Sequence, residues 1–243
     1  MNNQLIEGED ARPLYRQIYE RLRAQIAEPL WDPGEALPSE RLLAEQCGVS
    51  QGTMRKAIDA LVADQLLERR QGKGTFIVKE TQERALFRFF RMVRIEDGRR
   101  VTPTIGAAQA RRRAAQAADR AALGLDRDAT VIEIKRTRLL DGRPCIAETI
   151  IVPEALFPGL EARMLPNALY ALYLSDYRVR ILEGREQLGA APASADEAAQ
   201  LGTVIGYPLL EIDRIALSFE ERPVEWRISR CLTLAHRYAV TLR

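Results

Sequence analysis

Several things are scarce in this sequence, and each shortage excludes a class of protein. The 243 residues include one histidine and three cysteines. Cys47, Cys145 and Cys231 are odd in number, far apart and without metal-ligand spacing, so neither a disulfide framework nor a metal centre is expected. His236 reads as a structural or exposed residue. No Ser/His/Asp or Cys/His arrangement and no spaced carboxylate pair is legible, so no catalytic residue, metal or cofactor is expected. No apolar run approaches the ~20 residues that span a bilayer. Residues Met1 to Asp10 are polar and acidic, unlike a secretion signal. The expectation is a cytoplasmic protein with reduced cysteines and no membrane partner. Charge of one sign is missing too: 36 Lys and Arg against 34 Asp and Glu leave a net +2. A protein that coats DNA without specificity relies on many phosphate contacts, so that reading is disfavoured, and any nucleic-acid surface must be a local patch.

What is present is a globular balance, with 47% hydrophobic and 29% charged residues, in a chain long enough for two domains. Two textures follow one another. In the first, Leu14, Tyr15, Ile18, Leu22 and Ile26 recur at helical spacing, Pro13 suits a first turn, and Pro29 with Asp32-Pro33-Gly34 marks the stop. Ser39 is placed to cap a second helix ending at Gly48. Ser50 caps a third, whose Met54, Ala57, Ile58, Leu61 and Val62 form an apolar stripe ending near Asp64-Gln65. Leu66–Arg70 and Thr75–Val78 flank Gln71-Gly72-Lys73-Gly74 and read as a hairpin.

Helix, tight turn, helix and glycine-tipped hairpin is the order of a winged helix-turn-helix. Docking the third helix by its stripe frees Gln51, Gly52, Arg55 and Lys56 for a major groove, where residues near a helix N-terminus reach base edges. Gly52 permits close backbone approach. Ser50 and Thr53 can donate to phosphates at the positive helix end. Ser39 and Arg41 open the second helix, with Arg41 placed to meet the backbone or groove edge. Arg70, Gln71, Lys73 and Thr75 surround Gly72 and Gly74 at the wing tip. A solvated face on a protein-interaction module is the alternative for the same charges.

The stretch Gly34-Glu35-Ala36-Leu37-Pro38-Ser39-Glu40-Arg41, continuing through Gly48-Val49-Ser50-Gln51-Gly52-Thr53-Met54-Arg55 to Gly72-Lys73-Gly74-Thr75-Phe76, resembles the DNA-binding domain of the GntR family. The resemblance implies a homodimer on a short inverted-repeat operator, with Arg41, Gln51, Thr53, Arg55 and the wing glycines at the DNA. Many members carry arginine at the position of Gln51. A glutamine prefers adenine edges, so the operator is expected to differ there.

The second texture is α+β. Val131–Leu139 and Ile146–Val152 read as strands around the turn Asp141-Gly142. Arg178–Gly189, Pro208–Ser218 and Val224–Leu232 are further strand candidates; Ala114–Leu123, Ala168–Leu174 and Ser194–Leu201 are helix candidates. The expected architecture is an antiparallel sheet flanked by helices. Arg136 and Arg138 share one strand face with Ile132 and Ile134. Two guanidiniums at the end of an apolar row must be solvated, paired or bound to an anion. Glu148 on the return strand is a partner in plausible registers. An internal Arg–Glu pair that only holds the sheet and a ligand-binding pair both remain open.

Arg136-Thr137-Arg138, Asp141-Gly142-Arg143-Pro144, Glu148, Leu156-Phe157-Pro158-Gly159-Leu160, Leu169-Tyr170, Glu197–Gly202, Pro208–Arg214 and Pro223-Val224-Glu225-Trp226 together resemble the UTRA effector domain of the HutC subfamily, of chorismate-lyase-like fold, over residues 85–240. The resemblance implies that Arg136, Arg138, Glu148, Tyr170 and Glu225 line a small-molecule effector pocket. Ala168 stands where members that bind sugar phosphates often have serine, so an anionic or amino-acid-like metabolite is favoured over a sugar phosphate. Arg111-Arg112-Arg113 reads as a solvated edge, with an accessory DNA contact as the alternative.

The expected organisation is a winged helix over residues 1–79, an arginine-rich linker over 80–90, and an effector-binding and dimerisation domain over 91–243. The expected function is transcriptional regulation, by default repression, in which effector binding shifts the linker and the spacing of the two winged helices. A lyase-like enzyme and a non-specific DNA-binding protein are the alternatives.

Overall fold

A computed structural model describes residues 12–27, 31, 34–64, 66–78, 84 and 89–241. The chain divides into two compact units, Met1–Glu80 and Thr81–Arg243. The expected stop at Pro29 and Asp32-Pro33, Gln65, and most of the linker segment lie outside the described residues.

The first unit holds three helices, α1 (Leu14–Ala27), α2 (Glu40–Cys47) and α3 (Gln51–Ala63), and a hairpin of β1 (Leu67–Arg70) and β2 (Gly74–Ile77). Ile18, Leu22 and Ile26 of α1 and Met54, Ala57, Ile58 and Leu61 of α3 are buried against one another's stripes. Leu14, in the first turn of α1, is exposed instead. Gly48 ends α2 with φ of 65°, a left-handed conformation that gives its N–H access to the Ala44 and Glu45 carbonyls. The chain then turns through Val49 directly into α3. β1 and β2 pair from Leu67↔Ile77 to Arg70↔Gly74, and Gly72 and Gly74 both take positive φ at the tip.

The second unit contains β3 (Met92–Arg94), β4 (Thr104–Ala114), α4 (Ala117–Leu123), β5 (Thr130–Leu140), β6 (Arg143–Pro153), α5 (Leu169–Tyr177), β7 (Glu183–Pro192), α6 (Ala195–Leu201), β8 (Pro208–Leu217), β9 (Pro223–Cys231) and β10 (His236–Tyr238). Six strands form one antiparallel sheet in the order β4-β5-β6-β9-β8-β7. β10 pairs with β3 separately. Asp141 and Gly142 turn β5 into β6 with positive φ at both residues, the backbone a two-residue hairpin needs.

Successive residues of a strand face opposite ways. Ile132, Ile134, Ile150 and Val152 therefore share one face, where they pack with Leu169, Tyr170 and Tyr173 of α5 and with Phe157 and Leu160. Val131 and Ile151 face the other way and meet Leu123 of α4 and Trp226. Ala198 and Leu201 of α6 join a further cluster with Ala147 and Leu209.

Three readings need correction, and two short strands went unread. The helix expected over Ala114–Leu123 starts only at Ala117, because Thr104–Ala114 is the edge strand β4. Exposed alanine, glutamine and arginine there give no apolar alternation to read. Arg111-Arg112-Arg113 is not a uniformly solvated edge: Arg111 and Arg113 both bond Glu133, and Arg113 also bonds Asp119 at 2.5 Å. The strand expected from Arg178 begins at Glu183, because Arg178 closes α5 in the left-handed conformation. β3 and β10, three residues each, fell below any legible period.

Candidate functional site

In the first unit the N-terminal turn of α3 is presented outward. Ser50 caps the helix: its hydroxyl oxygen accepts from the Thr53 N–H at 3.1 Å and lies 2.9 Å from the Thr53 hydroxyl. Ser39 caps α2 by accepting from Leu42 N at 3.2 Å. Gln51, Gly52, Arg55, Arg41, Arg70, Gly72, Lys73 and Gly74 are exposed, and Thr53 is half-buried. All the named positions are thus on the solvent side of a small core.

The arginines on this side are not bare. Glu40 accepts from Arg55 Nε at 3.1 Å and from Arg69 Nη2 at 2.9 Å. Arg41 pairs with Glu45 at 2.8 Å, and Arg70 bonds Glu68 while its guanidinium lies 4.2 Å from the Phe76 ring centroid. Lys56 sits 4.2 Å from the Tyr15 ring centroid. Exposed pairs of this kind contribute little to stability. They explain how a basic surface coexists with a near-neutral chain, and a polyanion can exchange for the carboxylates.

In the second unit the sheet register assembles a charged field under α5. Arg136 is paired directly with Glu148, and Glu148 with Ser229. One step along the same face, Ile150 pairs with Arg227, Arg227 with Arg214, and Arg214 with Glu186. Arg136 donates through Nε to Glu148 at 2.5 Å. Arg227 donates to both oxygens of Glu225 at 2.9 Å and reaches Glu148 at 3.5 Å. Glu225 also accepts from the Tyr170 hydroxyl at 2.8 Å and the Tyr173 hydroxyl at 3.0 Å.

Burial alone would raise the Glu148 carboxyl, but the charges of Arg136, Arg227 and Arg138 outweigh it and hold it far below the usual range. Burial, reinforced by the Glu225 charge, pushes the Tyr170 hydroxyl up to about 12, so it remains a donor.

Arg138 differs from its neighbours. It is 3% exposed, yet its Nε has no hydrogen-bond partner. Its Nη2 donates to the Asn167 side-chain oxygen at 2.9 Å, and its Nη1 stands 3.8 Å from Glu148. Burial, opposed by the charge of Glu148 and aided by repulsion from Arg136 and Arg227, pulls its ionisation down to about 9. Asn167 is itself held by a 2.7 Å bond to the Pro103 carbonyl. Ala168 then starts α5 without a side-chain cap, and the N–H groups of a helix's first turn have no partner within the helix.

Arg136, Arg138, Glu148, Asn167, Ala168 and Tyr170 line one cavity of about 50 Å³, together with Arg214, Arg227 and Phe89. The structure thus gathers four of the five effector residues named from the sequence around this space, and Glu225 anchors two of the flanking side chains. Sequence reasoning missed Arg227, Arg214, Asn167 and Tyr173. The Glu225/Arg227 alternation on a strand was a usable signal for the first; the others lie on elements joined only by the fold.

One absence read from the sequence is also corrected. Cys145 Sγ lies 3.6 Å from His236 Nδ1, and His236 Nε2 lies 3.2 Å from Asp141. Arg94 in turn clamps Asp141 with bonds of 2.7 and 3.1 Å. These residues are far apart in sequence and meet only because β10 pairs with β3 beside the β5–β6 turn. Burial, with the Asp141 charge, pushes the Cys145 thiol up, which disfavours the thiolate a nucleophile needs. Among the described residues no cluster has the makings of a metal site, and no helix is long and apolar enough to cross a membrane.

Two family models match the chain: bacterial regulatory proteins of the gntR family over residues 14–77, and the UTRA domain over residues 98–237. The HTH-type transcriptional repressor NagR of Bacillus subtilis (strain 168) is 31% identical over 202 residues, covering 83% of each chain. The mannosyl-D-glycerate transport/metabolism system repressor MngR of Escherichia coli (strain K12) is 31% identical over 176 residues, covering 72% of this chain and 73% of that protein. Among solved structures, the ligand-binding domain of a GntR-family transcriptional regulator from Bordetella bronchiseptica matches with a TM-score of 0.58 and 32% identity, covering 65% of this chain and 99% of that one. YydK from Bacillus subtilis subsp. subtilis str. 168 shares the fold at 18% identity over 96% of this chain and 100% of that one, with a TM-score of 0.58.

Proposed function

The chain belongs to the gntR family of bacterial regulatory proteins and carries a UTRA domain, and from that premise we propose that it is a transcriptional repressor released from its operator by a small anion bound beside Arg138. The observation that carries this reading is the unpartnered Nε of a buried guanidinium at the uncapped start of a helix. An ionised group so placed is costly unless something pairs with it, and a helix N-terminus favours negative charge.

The charges narrow the ligand. Arg136, Arg138, Arg214 and Arg227 face Glu148, Glu186 and Glu225. Arg91 also lines the cavity, so guanidiniums outnumber carboxylates and the site favours an anion. Ala168 supplies no hydroxyl, which fits a carboxylate or a singly charged phosphate ester better than a dianion. Arg136 and Glu148 hold the floor of the site, while Tyr170, through Glu225, fixes its wall.

On the DNA side, Gln51, Thr53 and Arg55 of α3 read the groove, Ser39, Arg41 and Ser50 hold the backbone, and Arg70, Gly72, Lys73 and Gly74 carry the wing. An inverted-repeat operator is read by two copies, so the working form is a homodimer, and it works in the cytoplasm where its DNA is. The Cys145–His236–Asp141–Arg94 chain is structural: it ties β10 and the end of β3 to the β5–β6 turn, and the protein is not an enzyme.

The test is footprinting of the full-length protein on its own upstream intergenic DNA with excess competitor. A protected inverted repeat supports the reading. Uniform protection of unrelated DNA, or turnover of a small carboxylate by the protein, contradicts it.

A further inference from the structure

Phe89 occupies part of the effector cavity from within the chain. Its ring meets Tyr170 edge-on, with centroids 5.6 Å apart and planes at 81°. The Arg214 guanidinium lies 5.7 Å from its centroid. Gly184 of β7 makes the room: a Cβ there would come within 3.1 and 3.3 Å of two ring carbons. The Phe89 carbonyl accepts from Arg214 Nη2 at 2.6 Å. An aromatic edge, a cation over the face and a missing Cβ make a seat for a flat ring.

The space left beside this ring is about 50 Å³, room for a few water molecules, whereas benzene occupies an engineered cavity of roughly 150 Å³. A metabolite with both an anionic head and an organic body cannot be enclosed there while Phe89 is seated. We propose that Phe89 is an internal plug, and that the effector is an anion whose flat, ring-bearing body takes the Phe89 seat as its charged head meets Arg138. This rests on the reading of the cavity as the effector site.

The consequence is regulatory. Phe89 stands where the chain enters the second unit, just before β3. Seated, it fixes that entry through the Arg214 bond and the Tyr170 contact. Expelled, it gives up both contacts. Ligand and plug compete for one space, so ligand binding is the release. A ligand shifts such an equilibrium only by its differential affinity for the two states, and direct competition supplies that difference.

The experiment uses the full-length protein and two probes of equal charge, benzoate and acetate, at fixed ionic strength. Affinities are measured by calorimetry for wild type, Phe89→Ala and Arg138→Met, and chymotryptic cleavage after Phe89 and Phe90 is mapped by mass spectrometry. Benzoate is expected to bind Phe89→Ala at least about tenfold more tightly than wild type, because the plug no longer competes. Acetate, with no ring, is expected to bind both alike. Saturating benzoate is expected to speed cleavage after Phe89 in wild type. Should Phe89→Ala fail to fold, Gly184→Val expels the ring sterically while leaving every polar group in place, and faster cleavage without ligand is then expected. Equal benzoate affinity for wild type and folded Phe89→Ala, or an unchanged cleavage rate in folded Gly184→Val, overturns the plug while leaving the cavity reading intact. Binding undiminished in Arg138→Met, or no binding of either probe to any form, overturns the cavity reading and the plug with it.

Discussion

Arg136 and Glu148 face each other across a directly paired position of β5 and β6, with Nε and Oε2 2.5 Å apart and both side chains buried. The pair sits between a second carboxylate–guanidinium pair, Glu225 and Arg227, and the open guanidinium of Arg138. Arg136 is therefore matched, while Arg138 is not, although the two residues share a strand face and a cavity. Their substitutions should separate accordingly.

Glu148→Gln is expected to cost about 3–5 kcal/mol of stability, because it strands buried guanidiniums without their carboxylate. Arg136→Met should cost a comparable amount for the complementary reason. Urea unfolding of each variant, followed by circular dichroism, measures both. A loss below about 1 kcal/mol in either would show that water reaches the pair.

Arg138→Met should behave in the opposite way. Replacing a buried, incompletely paired cation by an apolar side chain of similar length is often neutral or stabilising, so the variant is expected to melt at or above the wild-type temperature. Its anion affinity should fall by about tenfold or more, in line with the loss of one charge-assisted hydrogen bond. Calorimetry with inorganic phosphate and acetate reads this directly.

The ionisation of Arg138 sets a pH window. Its guanidinium titrates near 9 in the free protein, and only the charged form attracts an anion. Anion affinity should be level below that pH and fall above it, with proton uptake on binding. The proton count comes from calorimetry in buffers of different ionisation enthalpy. Affinity that stays level to pH 10.5 would show that Arg138 stays charged in the free protein or that the anion binds elsewhere.

Acid should act through Glu148. Its folded-state ionisation is depressed below the ordinary 4.5, so the stability it contributes is present above that value and is lost as pH falls below it. The second unit should weaken progressively below about pH 4.5, and Glu148→Gln should flatten that dependence. Denaturation midpoints between pH 6 and pH 3 check the slope.

On the DNA side, Arg55→Ala should cost about 1–3 kcal/mol of operator binding if Arg55 reads a base edge. Glu40→Gln should do the reverse for DNA of any sequence, because it frees Arg55 and Arg69 from their shared carboxylate. Its salt dependence should also steepen, since more phosphates are neutralised. Fluorescence anisotropy on operator and random duplexes, across salt, separates the two effects.

Much of this is legible in the sequence. The stripe Met54, Ala57, Ile58, Leu61 fixes a helix face by spacing alone, and Gly48 and Asp141-Gly142 mark turns that few other residues permit. The approach of Arg136 and Glu148 followed from strand alternation and a short hairpin. What stayed hidden depends on long-range pairing. Arg227 and Arg214 enter the cavity because β9 lies beside β6 and β8 beside β9 in a particular register, which no local period encodes. His236 meets Cys145 only through the pairing of β10 with β3. β4 escaped notice because an exposed edge strand is under no demand to alternate apolar residues. Phe89 read as linker because an isolated aromatic among arginines carries no period at all.

The most direct test of the account is operator affinity as a function of anion, in wild type and Arg138→Met side by side. The duplex is the footprinted inverted repeat, and ionic strength is held constant because phosphate contacts are salt-dependent. The expected result is that an anion that binds the second unit weakens wild-type operator affinity by about 5- to 150-fold, the range of ordinary allosteric coupling. Arg138→Met should bind the operator as wild type does and ignore that anion. An anion effect that persists undiminished in Arg138→Met, or an operator affinity indifferent to every anion that binds, would contradict it.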